Sequence, residues 1–254
     1  MTDHAQTTAP LDLPVYQHSL FAPHYQPFEG ERWSLRLADM VLCPGYWTPP
    51  QLVMGMALLL RTDASGKTHT WMSMSPMETE SQALGCLYAS GHVVVMGLGM
   101  GWAAANAALN PAVSQVTVVE FDPEVIQVVE QSGVFAQLPD AVRQRVRIVN
   151  ADAYTFVPDT PADTLLADIW LPLFGAGRAE EVRRMQANTG AHKVYFWGQE
   201  MVIADRLRRA GQAVTPDTVA AVVAELKLPL IGPAECADYA EKIRLAADKW
   251  LKAE

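Results

Sequence analysis

Short apolar runs recur along the chain, separated by segments with helical patterning. An apolar run of about four to eight residues between turn residues is typical of a strand buried on both faces of a parallel sheet. Alternation of such strands with helices predicts a parallel sheet with helices on its two faces. The predicted fold class is therefore α/β, with a doubly wound, mostly parallel sheet. The runs are residues 92–96, 115–120, 145–149, 164–170 and 193–197.

The segments around these runs carry helix start signals. Ser75 can cap a helix with Pro76 in its first turn and Glu78 as the acid of a capping box, which predicts a helix to about residue 90. Asp122 and Pro123 form a second start of this kind, for a helix to about residue 131. Further predicted helices cover residues 102–109, 179–188, 199–210, 217–226 and 236–251, so the C-terminus is predicted to be helical.

Three apolar or alternating runs precede the first parallel strand. Residues 33–42, 52–61 and 68–74 read as strands, and the turn residues 63–66 join the last two into a hairpin. This predicts a small antiparallel sheet. Before it, four prolines without periodic patterning predict a loosely docked arm. The predicted division is an arm (1–30), a small β-sheet subdomain (31–75), and a parallel-sheet domain with a helical C-terminal extension (76–254).

Composition narrows the function classes. The chain has 254 residues and a formal net charge of -9, and nucleic-acid binders usually carry a basic face, so we expect no nucleic-acid partner. Three widely spaced cysteines without a pairing motif fit a reducing compartment, which predicts a cytoplasmic protein. The longest apolar stretch, residues 52–60, is too short to cross a bilayer, so no membrane partner is expected. The six histidines show no metal-ligand spacing, so no metal is expected.

A glycine-rich turn follows the first parallel strand. Gly97, Gly99 and Gly101 leave the run 93–96, and Glu120 ends the next run. Glycines let backbone approach a ligand closely, and an acid at the next strand end can accept from both ribose hydroxyls. A dinucleotide fingerprint would place its third glycine at Trp102, where a bulky ring opposes a pyrophosphate. The pattern favours an adenosyl sulfonium ligand over a dinucleotide.

Four residues of this kind lie at or near the carboxyl ends of successive predicted strands: Gly97, Glu120, Asp152 and Asp168. Ligands on open α/β sheets bind outside these strand ends. The residues are therefore expected to meet at one site, although Asp152 could also be a simple turn residue and Asp168 a strand-end cap.

At this point the sequence resembles the class I S-adenosylmethionine-dependent methyltransferases, and within them the spermidine synthase-like branch. The resemblance covers about residues 77–197 and implies a Rossmann-like methyltransferase fold with S-adenosylmethionine as cofactor. The motifs that carry it are residues 94–101 (Val-Val-Met-Gly-Leu-Gly-Met-Gly), 118–125 (Val-Val-Glu-Phe-Asp-Pro-Glu-Val), 146–153 (Val-Arg-Ile-Val-Asn-Ala-Asp-Ala) and 166–170 (Leu-Ala-Asp-Ile-Trp).

The resemblance implies roles for individual residues. The glycines would contact the methionine part of the cofactor, and Glu120 the ribose. Asp152 would accept from the adenine amino group, with the Ala153 amide at a ring nitrogen. Asp168 would be the catalytic acid that takes a proton from the acceptor, or would hold the cofactor's amino group. The full set of implied cofactor-binding residues is Gly97, Leu98, Gly99, Met100, Gly101, Glu120, Phe121, Asp152, Ala153 and Asp168.

Two departures from the branch argue against polyamine synthesis. Spermidine synthases carry an acid in the glycine turn and a second acid three residues after the one that matches Asp168, whereas this chain has Met100 and Leu171 there. A cationic donor tail and a polyamine both need compensating charge. Together with Trp102 and Trp170, these residues suggest a more apolar site.

The sequence therefore predicts a methyltransferase acting on a small-molecule acceptor. Three alternatives stay open: a non-catalytic adenosyl-binding protein, an aminopropyltransferase with altered specificity, and, disfavoured by the glycine turn, a nicotinamide-dependent oxidoreductase. A homodimer is one oligomeric state left open. Glu78 and Glu80 are expected to be a capping acid and its solvated neighbour, with the cofactor pocket as the other reading. Trp47 and Trp71 could close over the site or simply pack in a core.

Overall fold

The computed structural model describes residues 13–252 and contains two sheets. The first is antiparallel, with its four strands adjacent in chain order: β1 (Phe28–Glu29), β2 (Trp33–Cys43), β3 (Gln51–Thr62) and β4 (Thr68–Ser73). The three predicted strands and the hairpin are confirmed, whereas the two-residue β1 was not predicted. In the turn between β3 and β4, the Asp63 carboxylate accepts a bond of 2.8 Å from the Ser65 amide.

The second sheet has five parallel strands in the order β7-β6-β5-β8-β9. They are β5 (Gly91–Met96), β6 (Val113–Glu120), β7 (Val146–Asn150), β8 (Thr164–Ala167) and β9 (Lys193–Phe196). From β5 the chain builds outward to one side through β6 and β7, then to the other through β8 and β9. The strand order reverses between β5 and β8, and crevices for ligands form at such reversals. The predicted α/β fold with a doubly wound parallel sheet is confirmed.

Eight α-helices accompany the sheets in the described part of the chain. Their bounds are α1 (Pro76–Tyr88), α2 (Trp102–Leu109), α3 (Pro123–Ser132), α4 (Asp140–Arg143), α5 (Arg178–Thr189), α6 (Gln199–Arg209), α7 (Pro216–Leu226) and α8 (Tyr239–Trp250). Ser75 caps α1 by accepting from the Glu78 amide, and Asp122 caps α3 by accepting from the Glu124 amide. The four-residue α4 was not predicted, and α8 begins three residues later than expected.

Strand β8 is shorter than its apolar run. The sequence predicts a strand over 164–170, but β8 ends at Ala167. Its neighbours β5 and β9 end at Met96 and Phe196, so residues beyond Asp168 have no strand beside them to continue the ladder. The Asp168 amide still donates to the Met96 carbonyl at 2.9 Å, and the chain then turns away as a loop. The early end places Asp168 at the rim of the sheet.

The described part of the predicted arm, residues 13–30, is held by specific bonds. The Tyr16 hydroxyl bonds the Thr79 hydroxyl at 2.8 Å. The Asn106 side chain bonds both the amide and the carbonyl of Phe21, at 2.9 and 3.0 Å. Gln137 bonds the His24 backbone in the same two-sided way. Residues 1–12 of the arm lie outside the described residues, and the predicted division of the chain into domains stays a prediction.

A buried carboxyl joins the helical C-terminus to the sheet. Glu200, on α6, is fully buried and accepts hydrogen bonds of 3.0–3.1 Å from three tyrosine hydroxyls: Tyr46 before β3, Tyr195 on β9 and Tyr239 on α8. Buried charged groups are tolerated when they are hydrogen-bonded in this way. The C-terminal extension is therefore anchored against β9.

None of the helices in residues 13–252 is long and apolar enough to cross a membrane. The same residues contain no group of three histidine, cysteine or acidic side chains arranged to hold a metal ion. The three cysteines, all buried, are unpaired.

Candidate functional site

A cavity of about 510 Å³ lies between the carboxyl ends of the parallel strands and the small antiparallel sheet. One wall comes from the ends of β5, β6 and β8 and from the loop after β7. The opposite wall comes from β2, β3 and β4, and α1 closes one side. The volume lies in the range of small-molecule sites, which are typically about 300–1,000 Å³.

The glycine turn after β5 is shaped by close backbone contact. Gly97 has φ +95°, and a Cβ added there would lie 2.0 Å from the Asp168 carbonyl oxygen. Gly97 also donates from its amide to the Val119 carbonyl at 2.9 Å. The turn can therefore pass directly against the end of β8 only because residue 97 has no side chain.

The second half of the turn has a different task. Gly101 starts α2 with φ +78°, and a Cβ there would meet Val134, Val129 and Phe135 in the core. Met100 is fully buried, and its carbonyl accepts from the Tyr25 hydroxyl at 3.2 Å. Neither residue lines the cavity, unlike Gly97, Leu98 and Gly99. The third glycine thus serves helix start and packing.

Glu120 stands at the edge of the cavity in a fixed orientation. One carboxylate oxygen accepts from the Leu98 amide at 2.9 Å and the other from the Asp122 amide at 2.8 Å. Burial raises the pKa of Glu120, while these amide bonds act in the opposite direction. The carboxylate lies beside the glycine turn, and the neighbouring Phe121, largely exposed, lines the same cavity.

Asp152 and Ala153 also line the cavity, at the carboxyl end of β7. Asp152 is exposed and accepts from the Tyr154 amide at 2.9 Å, which forms an Asx turn. Asp152 is therefore a turn residue, as one of the two sequence interpretations expected, and it also lines the cavity. Of the ten residues that the resemblance implied, eight line the cavity, and Met100 and Gly101 do not.

Asp168 shares the cavity with a second acid, Glu78. Burial raises the pKa of Asp168 to about 7, with Arg178 acting against it. Burial and the nearby Asp168 charge raise the pKa of Glu78 to about 8. The Gln82 amide donates to Asp168 at 2.9 Å. Near neutral pH, Glu78 is therefore mostly protonated and Asp168 partly protonated, and a cationic ligand group would favour the ionised form of both.

The sequence expectation for Glu78 and Glu80 is corrected here. The Glu78 amide does bond the Ser75 hydroxyl, at 3.4 Å, but the Glu78 carboxyl lines the cavity and does not complete a capping box. Glu80 is buried and accepts from the amides of Trp47 and Thr48 at 3.0 and 3.2 Å, so it is not solvated. The sequence contains a signal for this orientation. Glu78, Gln82 and Cys86 are spaced four residues apart, so they lie on one face of α1, and all three line the cavity.

The expectation of a more apolar site, drawn from the residues that differ from spermidine synthases, holds only in part. Met100 is outside the cavity, and Leu171 is half-exposed and does not line it either. Trp102 and Trp170 do line it. Trp170 is held by a bond of 3.2 Å from its indole nitrogen to the Tyr154 hydroxyl and by the Arg178 guanidinium, 4.0 Å from its ring centre.

Residues from the small sheet complete the site, and most were missed from the sequence. Arg32, Trp33, Arg61, Trp71 and Met72 line the cavity. Of the two tryptophans that the sequence offers as a cover for the site, Trp71 is among these lining residues, whereas Trp47 does not line the cavity. No local motif identifies these side chains, because they reach the cavity only through the placement of the small sheet over the glycine turn.

The small sheet is fastened to the turn that follows Glu120. The Asp122 carboxylate accepts from the Arg32 guanidinium and the Trp33 indole, each at 2.9 Å. Glu124 accepts from the backbone amides of the same two residues, at 2.8 and 3.0 Å. These bonds, which we call the α3 clamp, hold the two walls of the cavity at a set separation.

Comparisons with known proteins give limited matches. No family model matches the chain, and no curated protein matches it. Among solved structures, the methyltransferase domain of bacterial CtHen1 has a TM-score of 0.37 at 16% identity, covering 46% of this chain and 65% of that chain. The glycopeptide N-methyltransferase MtfA complexed with S-adenosyl-L-methionine has a TM-score of 0.33 at 22% identity, covering 43% of this chain and 48% of that one.

A third structure, the DhpI-SAM-HEP complex, has a TM-score of 0.30 at 17% identity, covering 39% of this chain and 42% of that one. The match thus spans less than two thirds of each of these three chains. At such TM-scores the likeness carries no functional weight. The solved structures that this chain resembles thus include two methyltransferases.

Proposed function

We propose that the protein binds S-adenosylmethionine and transfers its methyl group to a small molecule. The observation that carries the proposal is the meeting of Gly97, Glu120, Asp152 and Asp168, from four successive strand ends, at one cavity. A strand-end acid held beside a glycine turn suits a ribose, and the exposed Asp152 carboxylate suits an adenine amino group.

The polar groups of the cavity also fit the charged tail of this cofactor. Glu78 and Asp168 are acids that a ligand ammonium would ionise and pair with. The Trp102 indole nitrogen is buried and has no hydrogen-bond partner within residues 13–252. An unpaired buried donor lowers stability, so a ligand acceptor such as a carboxylate would satisfy it. Gln82 supplies a second donor group beside Asp168.

The chain's own residues have a small chemical task in this proposal. S-adenosylmethionine supplies an electrophilic methyl group on a sulfonium, so alignment and water exclusion make up most of the protein's contribution. Trp170, fixed by Tyr154 and Arg178, forms a rigid wall next to Asp168. Asp168, with a pKa of about 7, is suited to accept the proton that an acceptor hydroxyl or amine must lose.

One observation favours aminopropyl transfer as a second candidate function. The cavity lacks the two acids expected from spermidine synthases, but Glu78 supplies a second carboxyl beside Asp168. A cationic aminopropyl tail could pair with it. Decarboxylated S-adenosylmethionine lacks the carboxylate that Trp102 and Gln82 would bind, so comparing the two donors separates the candidates.

Calorimetry with four ligands tests the proposal. We expect S-adenosylmethionine and S-adenosylhomocysteine to bind, the decarboxylated compound to bind more weakly, and NAD not to bind. Transfer of a labelled methyl group to a metabolite extract should then be lost in Asp168→Asn, which keeps the shape of the side chain. Tight binding without transfer would favour the non-catalytic alternative. The proposal fails if no adenosyl sulfonium or thioether compound binds.

The acid pair predicts how the ligand-free protein responds to pH. Between their ordinary pKa values and about 7 to 8, the folded protein keeps protons on Asp168 and Glu78 that the unfolded chain has already released. Since the unfolded state binds fewer protons there, the free energy of unfolding falls as pH rises through this window. From about pH 6 to about pH 9 the two acids together should lower it by roughly 4 kcal/mol, as they release protons over about three pKa units in all and one unit corresponds to about 1.4 kcal/mol.

Urea unfolding at several pH values measures this effect. Glu78→Gln should flatten the decline relative to the wild type, because one of the two acids is gone. Glu225→Gln, at an exposed position on α7, removes an acid outside the cavity and should leave the decline unchanged. Equal slopes in wild type and Glu78→Gln would show that Glu78 is ionised in the folded protein across this range.

A further inference from the structure

The cavity wall formed by the small sheet carries positive charge, and its two arginines differ in their partners. Arg32 is neutralised in the α3 clamp, with Asp122 at 2.9 Å and Glu124 at 3.3 Å. Arg61 is exposed, and its guanidinium lies 5.6 Å from the ring centre of Trp33 and 5.3 Å from that of Trp71. Within residues 13–252, no carboxylate lies at ion-pair distance from Arg61.

The strand register explains why Arg61 is held in place without a counter-ion. Trp33 on β2 lies opposite Arg61 on β3, and the register shift between β3 and β4 at Leu59 and Leu60 brings Trp71 beside them. The two indole rings meet edge to face at 5.2 Å. Stacking on aromatic faces orients a guanidinium while leaving its in-plane N–H donors free, and these donors match a planar anion through two parallel hydrogen bonds.

The far side of the cavity carries acids and no arginine of the small sheet. Glu120 and Asp168 line the strand-end wall, and Glu78 lines the adjoining side from α1. If the adenosyl cofactor occupies that side, its sulfonium and ammonium face acids. A second ligand then enters against the small sheet, where Arg61 is unpaired and Trp71 is only partly buried. A polyamine would place its charge against Arg61, whereas an anion would be attracted there.

We propose that the methyl acceptor is a small aromatic carboxylate, whose carboxylate pairs with Arg61 and whose ring packs on Trp71. This assignment rests on the proposed function, since it needs the cofactor on the strand-end side. It reverses the charge of the acceptor relative to the polyamines of the branch that the sequence resembles. Arg61 is then a specificity-determining residue, and Asp168 remains the proton acceptor on the opposite wall.

The test uses the full chain saturated with S-adenosylhomocysteine, which fills the cofactor side and cannot react. Benzoate, 4-hydroxybenzoate and indole-3-acetate are titrated, each against its neutral amide. We expect at least one acid to bind about tenfold or more tightly than its amide, since a charge-assisted bidentate pair is among the stronger hydrogen-bonded contacts. Arg61→Gln should abolish this preference, and Arg61→Lys, which keeps charge without the planar fork, should retain part of it.

Arg36→Gln is the matched control, because Arg36 lies on the same sheet, pairs with Glu29 at 3.0 Å and does not line the cavity. It should keep the preference of the wild type. The assignment is overturned if acids and amides bind equally, if no acid binds the loaded protein, or if Arg61→Gln retains the preference. It is also overturned if Arg61→Gln and Arg61→Lys both weaken S-adenosylhomocysteine binding tenfold, which would assign Arg61 to the cofactor. Failure of the wild type to bind S-adenosylhomocysteine would instead refute the proposed function.

Discussion

Replacing Glu120 with alanine should weaken the binding of S-adenosylhomocysteine by about 2–4 kcal/mol, which is roughly 30- to 1,000-fold. The carboxylate is oriented by the amides of Leu98 and Asp122 before any ligand arrives. Both of its oxygens can therefore accept from ribose hydroxyls without further ordering. Titration calorimetry at fixed pH measures the change in affinity. S-adenosylmethionine should show the same loss, because it carries the same ribose.

Two further variants make this result interpretable. Glu130→Ala removes an exposed acid from the last turns of α3 and should leave affinity unchanged. Glu120→Gln keeps the volume of the side chain and should bind with intermediate affinity. Thermal unfolding of each variant verifies that the glycine turn has kept its fold. If folded Glu120→Ala binds as tightly as the wild type, Glu120 does not contact the ribose, and the cofactor assignment loses its central contact.

Replacing Gly97 with alanine should lower the free energy of unfolding by about 2–5 kcal/mol. The new Cβ would lie 2.0 Å from the Asp168 carbonyl oxygen, so either the turn or the end of β8 must move. The backbone at φ +95° adds a further penalty for any residue with a Cβ. Urea unfolding of the ligand-free protein gives the value directly.

Gly133 offers a matched control for the backbone part of this effect. It has φ +74° at the end of α3, and a Cβ there would meet nothing within 4 Å. Gly133→Ala should therefore lose only about 1–2 kcal/mol, the usual left-handed penalty. Equal losses in the two variants would mean that strand β8 yields easily and that the close approach at Gly97 is not a constraint on the site.

Local patterns predicted most of the fold. The strands of both sheets follow from apolar runs, and the starts of α1 and α3 follow from their caps and prolines, because these signals act within a few residues of sequence. The predicted β8 was too long because strand length depends on neighbouring strands. Ile169 and Trp170 are apolar enough for a strand but have no strand beside them. Whether an apolar residue extends a sheet is decided by its partners.

The sequence predicts the part of the site that local patterns encode, and misses the part that depends on distant contacts. The strand-end residues were found because the carboxyl ends of parallel strands meet at one edge. Arg61 and Trp33 were not predicted as site residues, because the bonds that bring their sheet over the cavity join residues about ninety positions apart. Met100 and Gly101 were assigned to the ligand by their place in the motif. Their burial shows that one short turn can serve a cavity with its first half and a core with its second.

The α3 clamp lowers the conformational entropy that the cavity loses when a ligand binds. Asp122 follows Glu120 by two residues. The bonds that its carboxylate accepts from Arg32 and Trp33 therefore tie the ribose-side acid and the opposite wall to one short segment. Both walls are thereby held in position before binding. A preorganised cavity loses less conformational entropy when a ligand enters, so more of the contact energy is expressed as affinity. The width of the cavity is thus fixed by four side chains and not by the ligand.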